Sequence, residues 1–158
     1  MTSNAKPSEK MLAQICPGSI IYIKHKNTRG QDVYHYAIVC NLNPKADPEI
    51  VLAIITSDNR GADLVPRIRQ KFGPSTVVSV PAVAFRKLNR LSFINCNLPV
   101  FRSLSKLCEE VDSEEASFYH PGINQLLRVE LSIKGMLDSR LVSPEQKAYI
   151  MAKCKKES

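Results

Sequence analysis

The order of secondary-structure signals along the chain is the strongest constraint on its fold. Short runs rich in β-branched and aliphatic residues predict strands, and all of them lie before residue 97. Apolar residues then recur at the 3.6-residue period of amphipathic helices. Strands first and helices last predict an α+β domain rather than a doubly wound parallel sheet. The predicted strands cover 19–25, 33–41, 50–55, 76–80 and 91–96, the predicted helices cover 123–139 and 144–153, and a helical spacing also runs from Phe101 to Val111.

The predicted strands are short and are separated by turn residues. This pattern is typical of a strongly twisted antiparallel sheet or a half-open barrel, with the C-terminal helices expected to cover its one open face. The apolar half of the second strand, 36–40, predicts burial on both faces or a strong bend. Ser143, Pro144 and Gln146 have the spacing of a capping box and predict where the last helix begins.

The length of 158 residues is that of one ordinary domain. Residues 1–12 are mostly polar and are expected to form a flexible tail, which leaves 13–158 as a single domain. Its β-rich part is expected to cover 17–97 and its helical part 100–153. The polar stretch 56–73 lacks clear periodicity, and it is expected to be a functional or partly disordered loop.

Charge and cysteine content limit the class of protein. The chain has 22 Lys and Arg against 15 Asp and Glu, and this net charge of +7 modestly favours a polyanionic partner. Five cysteines without a CxxC pair, and three histidines far apart in sequence, predict no disulfide framework, no metal site and no cofactor. A polar N-terminus and the absence of an apolar run of ~18–20 residues predict a cytoplasmic protein with no membrane partner.

Polar residues at the ends of predicted strands are the remaining candidates for a functional site. Arg29 lies in the first loop, His35 lies early in the second strand, and Thr56 and Ser57 follow the third strand directly. A histidine can exchange protons near neutral pH. Spacing alone does not bring these residues together. Each also has a structural interpretation, because hydroxyls at strand exits bond nearby backbone and His35 suits a hydrogen-bonded strand position.

The stretch from Pro17 to about Ile150 resembles the MazF/PemK superfamily of bacterial toxin-like proteins. Residues 17–23, PGSIIYI, are similar to the opening strand of that family, and residues 36–41, YAIVCN, to its second strand. Residues 54–57, IITS, resemble its Pro-[aliphatic]-Thr-[Ser/Thr] turn. Residues 93–97 and 139–145 resemble a divergent branch. The resemblance implies an SH3-like, strongly curled sheet or half-barrel.

Active members of that family are metal-independent endoribonucleases in which the ribose 2′-OH attacks the adjacent phosphodiester. The resemblance implies that Thr56 and Ser57 bind the scissile phosphate. His35 stands where the family has an Arg that is usually followed by Pro, and we expect it to exchange protons. Arg29 or Arg60 is expected to stabilise the developing negative charge. The further residues expected to bind RNA are Lys24, Arg60, Arg67, Arg69 and Lys71.

The resemblance implies single-stranded RNA, an antitoxin protein and a second copy of the chain as partners, with the antitoxin covering 56–73. The missing Arg-Pro pair favours an alternative from another class, a non-catalytic SH3-like protein-binding module. A DNA-binding helix-turn-helix is not predicted by the weakly basic C-terminal helices. Tyr22, Tyr34 and Tyr36 alternate with apolar residues, which favours packing on a sheet face over stacking against RNA bases.

Overall fold

A computed structural model of the chain describes residues 5–57, 61–81, 91–119 and 125–156, with only the backbone described at 61–63. These ranges form an α+β fold with helices at the C-terminal end, which confirms the predicted fold class. The strands are β1 (Ile20–Lys26), β2 (Asp32–Val39), β3 (Glu49–Thr56), β4 (Val77–Val80), β5 (Ser92–Asn95), β6 (Val100–Ser103) and β7 (Ser117–Tyr119). The helices are α1 (Pro7–Gln14), α2 (Gly61–Phe72), α3 (Leu104–Asp112), α4 (Gln125–Asp138) and α5 (Pro144–Cys154), and a 3₁₀ turn covers Pro74–Thr76.

The strands form one antiparallel sheet in the order β4-β5-β3-β2-β1-β7, and β6 also pairs with β3. β5 pairs with the end of β3 and β6 with its beginning, so both lie along the edge of β3 that faces away from β2. In the described part of the chain, β4 and β7 at the two ends of this order do not pair with each other. The sheet is therefore open, and the barrel closure implied by the resemblance is not seen.

Both faces of the sheet are buried under helices. Successive strand residues point to opposite faces. Val51 and Ile55 of β3 pack with α4 and α5, whereas Ile50 and Ile54 pack with α1 and α3. The expectation that helices cover a single face was therefore wrong. The physical reason is that residues 50–55 are apolar without interruption, so a face left in water would expose several large aliphatic side chains.

Helix α1 lies partly within residues 1–12, where a flexible tail was expected. Met11 is fully buried in the core beneath this helix. Ser8 anchors the helix to α3, because its backbone N–H donates to Oδ1 of Asp112 at 2.9 Å and its hydroxyl to Oδ2 at 2.8 Å. One large apolar side chain and one long-range polar contact thus hold a segment whose composition is mostly polar.

Helix α2 occupies most of the stretch 56–73, which was expected to be a loop. Leu64, Ile68 and Phe72 recur at four-residue steps and provide the apolar side of this helix. Pro66 lies inside it and masks the helical signal, since proline removes one backbone donor and normally interrupts a helix.

The C-terminal segments agree more closely with the predictions. Ser143 and Gln146 form the predicted capping box at the start of α5. The helical spacing from Phe101 was only partly correct, because 100–103 form β6 and α3 begins after its N-cap, Ser103. No helix in the described ranges is both long and apolar enough to cross a membrane.

Candidate functional site

The end of the β1–β2 hairpin extends beyond the strands on either side of it. In the described ranges, β7 pairs with β1 only at 20–22, and β3 pairs with β2 only from Tyr36 onwards. The side chain of Asn27 orders the turn, since its Oδ1 accepts hydrogen bonds from the backbone N–H groups of Arg29 and Gln31 at 2.9 and 3.0 Å. Gly30 supplies the positive φ of 75° that this turn requires. The exposed Arg29 therefore lies at the tip of an ordered hairpin.

Two histidines meet on one face of this extended end. Ile23 pairs with His35 and His25 pairs with Val33, so the two histidines are diagonal neighbours whose side chains share a face. Nε2 of His25 lies 2.8 Å from Nδ1 of His35, which is a hydrogen bond. Both rings are half-buried. This face of the sheet also carries Ile23. Further along the sheet, the same face packs against α1 and α3.

Burial keeps this histidine pair neutral. It lowers the pKa of His35, and the nearby His25 lowers it further. Burial also lowers the pKa of His25, a backbone hydrogen bond with Lys26 opposes this effect, and the charge of Arg102 adds to it. Both rings therefore stay uncharged near neutral pH, with one nitrogen of the bonded pair donating and the other accepting.

The tautomer of the pair decides which ring nitrogen can act as a base. In the tautomer in which Nδ1–H of His35 donates to Nε2 of His25, the free lone pair of the couple lies on Nε2 of His35. That nitrogen can then accept a proton.

A buried ion pair lies near the histidines. Nη1 of Arg102 is 3.3 Å from Oε2 of Glu110 and donates to the backbone carbonyl of Lys24 at 3.0 Å. The two side chains are only 13% and 9% exposed. Arg102 thereby joins β6 to β1, although β3 and β2 separate these strands in the sheet. Since its charge lowers the pKa of His25, Arg102 is part of the electrostatic environment of the histidine pair.

Thr56 and Ser57, predicted to act together, have different surroundings. Extending the β2–β3 register by one residue beyond the Tyr36–Ile55 pair places Thr56 opposite His35 and on the same face. Thr56 is half-buried. The Oγ of Ser57 instead lies 2.6 Å from Oγ of Ser92 on β5. The register therefore places Thr56 on the same face as the histidine pair, whereas Ser57 contacts the neighbouring strand β5.

The predicted cations are spread over the molecule. The exposed basic side chains of the expected loop lie on α2, which packs beside β4 and β5, on the far side of β3 from the hairpin. Lys24 lies on the hairpin, but on the face opposite to the histidines. Arg60 is outside the described residues. The residues on α2 are Arg67, Arg69 and Lys71.

Two residues of this site, His25 and Arg102, were not predicted from the sequence. A hairpin register counted outwards from the Asn27–Gln31 turn places His25 and His35 on one face, so the information was present locally. The position of Arg102 had no such signal, because its contacts with Lys24 and Glu110 depend on how β6 and α3 pack.

No group of three or more His, Cys, Asp or Glu side chains that could hold a metal ion occurs among the described residues. No protein-family model matches the chain, and no curated protein matches its sequence. The end of the hairpin with its histidine pair is therefore the candidate site from which a function is inferred.

Proposed function

We propose that this chain is a MazF/PemK-like RNA-binding protein that cleaves single-stranded RNA by metal-independent transesterification. The observation that carries the proposal is the 2.8 Å hydrogen bond between His25 and His35. It couples two neutral imidazoles on the face to which the register brings Thr56. A neutral histidine beside a hydroxyl suits the removal of a proton from a ribose 2′-OH near neutral pH.

The proposed reaction uses the histidine pair as acceptor and then donor of one proton. Nε2 of His35 takes the proton of the 2′-OH while the 2′ oxygen bonds to the adjacent phosphorus. The bond between phosphorus and the 5′ oxygen breaks, and that oxygen receives the proton back from the pair. The products are a 2′,3′-cyclic phosphate and a 5′-hydroxyl. The Thr56 hydroxyl donates to a phosphate oxygen, and Arg29 supplies positive charge from the tip of the same hairpin.

An SH3-like curvature of the sheet is a further part of this proposal. Adjacent strands are about 4.8 Å apart, so β6 and β1 would be separated by roughly 14 Å in a flat sheet. A single arginine side chain does not span that distance, yet Arg102 of β6 donates to the carbonyl of Lys24 on β1 at 3.0 Å. This contact supports a bend of the sheet that brings the β1–β2 hairpin towards β6.

The test is cleavage of a long unstructured RNA in EDTA by the full chain. We expect His35→Gln and His25→Gln to lose roughly 10²- to 10⁴-fold in rate, the usual size of a general acid–base contribution. Thr56→Ala should also lose activity, whereas Ser105→Ala removes an exposed hydroxyl on α3 and should cleave normally. A cyclic phosphate at the new 3′ end identifies the chemistry. The proposal fails if folded wild-type protein leaves RNA intact, or if His35→Gln cleaves at the wild-type rate.

A second candidate is the non-catalytic protein-binding module, which the surface of α4 favours. Leu126, Leu127 and Leu131 are 58%, 60% and 43% exposed. Leu126 also lines a groove of about 1080 Å³ between α4 and the end of α5, together with Leu42 and Ile133. An apolar surface of this kind suits a protein partner, and an antitoxin or a second copy of the chain are the proposed occupants. Light scattering of the wild type and of Leu127→Glu gives the molar mass of each and would show whether two copies associate. A folded dimer without nuclease activity would favour the protein-binding module.

A further inference from the structure

We propose that the opposite face of the same hairpin is a stacking surface for the bases of single-stranded RNA. This tyrosine face consists of Tyr22, Tyr34, Tyr36 and Tyr119. The rings of Tyr22 and Tyr34 are stacked, with centroids 5.5 Å apart and planes 15° apart. Tyr36 lies 4.7 Å from Tyr22, and Tyr119 lies 5.8 Å from Tyr36. The four rings therefore form a continuous ladder across β2, β1 and β7.

Tyr34 is the exposed end of this ladder. Tyr36 and Tyr119 pack against the core beneath α4 and α5, which accounts for their presence on a sheet face. Tyr34 is 48% exposed and has no such role in the core. One side of its ring lies on Tyr22, so a flat aromatic group arriving from solvent would continue the stack on the other side. The ring is already held in place, which lowers the entropic cost of binding a base.

The charges around Tyr34 suit a nucleic acid. Lys24 lies directly opposite Tyr34 in the strand register, on the same face. Lys26 is on this face too and forms an ion pair with Asp32 at 3.0 Å, and Arg29 lies at the hairpin tip. Among the described residues of the hairpin end, these three cations therefore accompany a carboxylate, Asp32, that is already paired. Aromatic rings beside unpaired cations are the usual composition of surfaces that bind single strands, with bases on the rings and phosphates on the cations.

A proline-rich peptide is the other kind of ligand that binds aromatic surfaces. Such a peptide does not need the excess of positive charge, and the charges therefore favour RNA. Binding of RNA to the tyrosine face does not require nuclease activity, and only the cleavage of the bound RNA rests on the proposed function. A sheet with its side chains is about 10 Å thick. An RNA strand stacked on Tyr34 can pass the edge of β2 at 32–34, where the described part of β3 does not pair with β2, and can reach the histidine pair on the other face.

The test measures binding separately from cleavage. A fluorescent single-stranded oligonucleotide with 2′-O-methyl riboses cannot be cleaved by attack of the 2′ oxygen, and its anisotropy reports the Kd for the full chain. We expect Tyr34→Ala to weaken binding roughly tenfold, in line with the loss of one stacked base, and Tyr34→Phe to bind as wild type does. Lys24→Ala should reduce the salt dependence of binding by about one phosphate contact, whereas Lys10→Ala, exposed on α1, should leave it unchanged.

The outcomes separate this inference from the nuclease proposal. If Tyr34→Ala weakens binding and raises KM without changing kcat, the stacking surface is supported. If RNA is never cleaved but Tyr34→Ala still weakens binding, the stacking surface stands and the nuclease proposal fails. An unchanged Kd in Tyr34→Ala, or binding of a proline-rich peptide in place of the oligonucleotide, overturns the inference.

Discussion

Replacing Gly135 by alanine should destabilise the protein, although alanine is the better helix former. Gly135 lies inside α4, where this substitution ordinarily gains about 1 kcal/mol. A Cβ at this position would lie 2.5 Å from the backbone oxygen of Ser75 and 2.6 Å from Sγ of Cys96. Neither partner can rotate away, because one is backbone and the other is a fully buried side chain after β5. Relief requires α4 to move away from the sheet.

The expected net loss is about 2 kcal/mol, because overpacking in a core costs about 1–3 kcal/mol, this clash belongs at the upper end, and helix propensity returns about 1 kcal/mol. For a chain of this length that corresponds to a fall in Tm of about 4–8 °C. Urea unfolding followed by circular dichroism measures the difference, provided that the m-value is unchanged.

Ser132→Ala on the same helix is the matched control. The Ser132 side chain is fully buried, and its hydroxyl has no hydrogen-bond partner among the described residues. Its removal should stabilise the protein by about 1 kcal/mol, since an unsatisfied buried polar group disappears. Helix propensity alone predicts the same sign for both substitutions. A Gly135→Ala protein as stable as wild type, or more stable, would refute the packing of α4 described above.

Two further predictions concern the histidine pair. Because the pKa values of His25 and His35 are lowered in the folded protein, the unfolded chain binds more protons below about pH 6.5. The free energy of unfolding should therefore fall as the pH drops through that value. Urea unfolding between about pH 5 and 8 should show a smaller fall in the double variant His25→Gln/His35→Gln. Arg102→Met should raise the pKa of His25 in an NMR titration, because the charge of Arg102 lowers it. Glu110→Gln should lower the free energy of unfolding by roughly 3 kcal/mol, because it leaves Arg102 buried without its partner. An unchanged pKa and an unchanged stability would exclude the ion pair from this site.

The parts of the fold that were predictable from sequence are those specified by a local pattern. Residues 50–55 are apolar at every position, and this run predicted the strand β3, which spans Glu49–Thr56. The capping box at Ser143 fixed the start of α5. Helix α1 was missed because its position depends on long-range partners, the core around Met11 and the carboxylate that receives Ser8, which no local pattern reveals.

The candidate site was only partly predictable, for a related reason. His35 and Thr56 were chosen by residue type and by position at strand ends, and the register of β2 with β3 is what brings them to one face. The contribution of Arg102 requires β6 to approach β1 through side chains rather than through strand pairing. Residue type can therefore nominate a chemical group, while the packing of strands distant in sequence decides which groups meet.

The register of one hairpin determines both of the surfaces proposed for RNA. Alternation along β1 and β2 sends His25 and His35 to one face and Tyr22 and Tyr34 to the other. A slip of one residue in β2 would exchange the faces of its side chains, and the histidine pair and the tyrosine stack would be lost together. The turn at Asn27 opposes that slip, because its side chain binds two backbone N–H groups in the turn. The side chain that orders the turn is thus as necessary to both surfaces as the rings themselves, although it need not touch RNA.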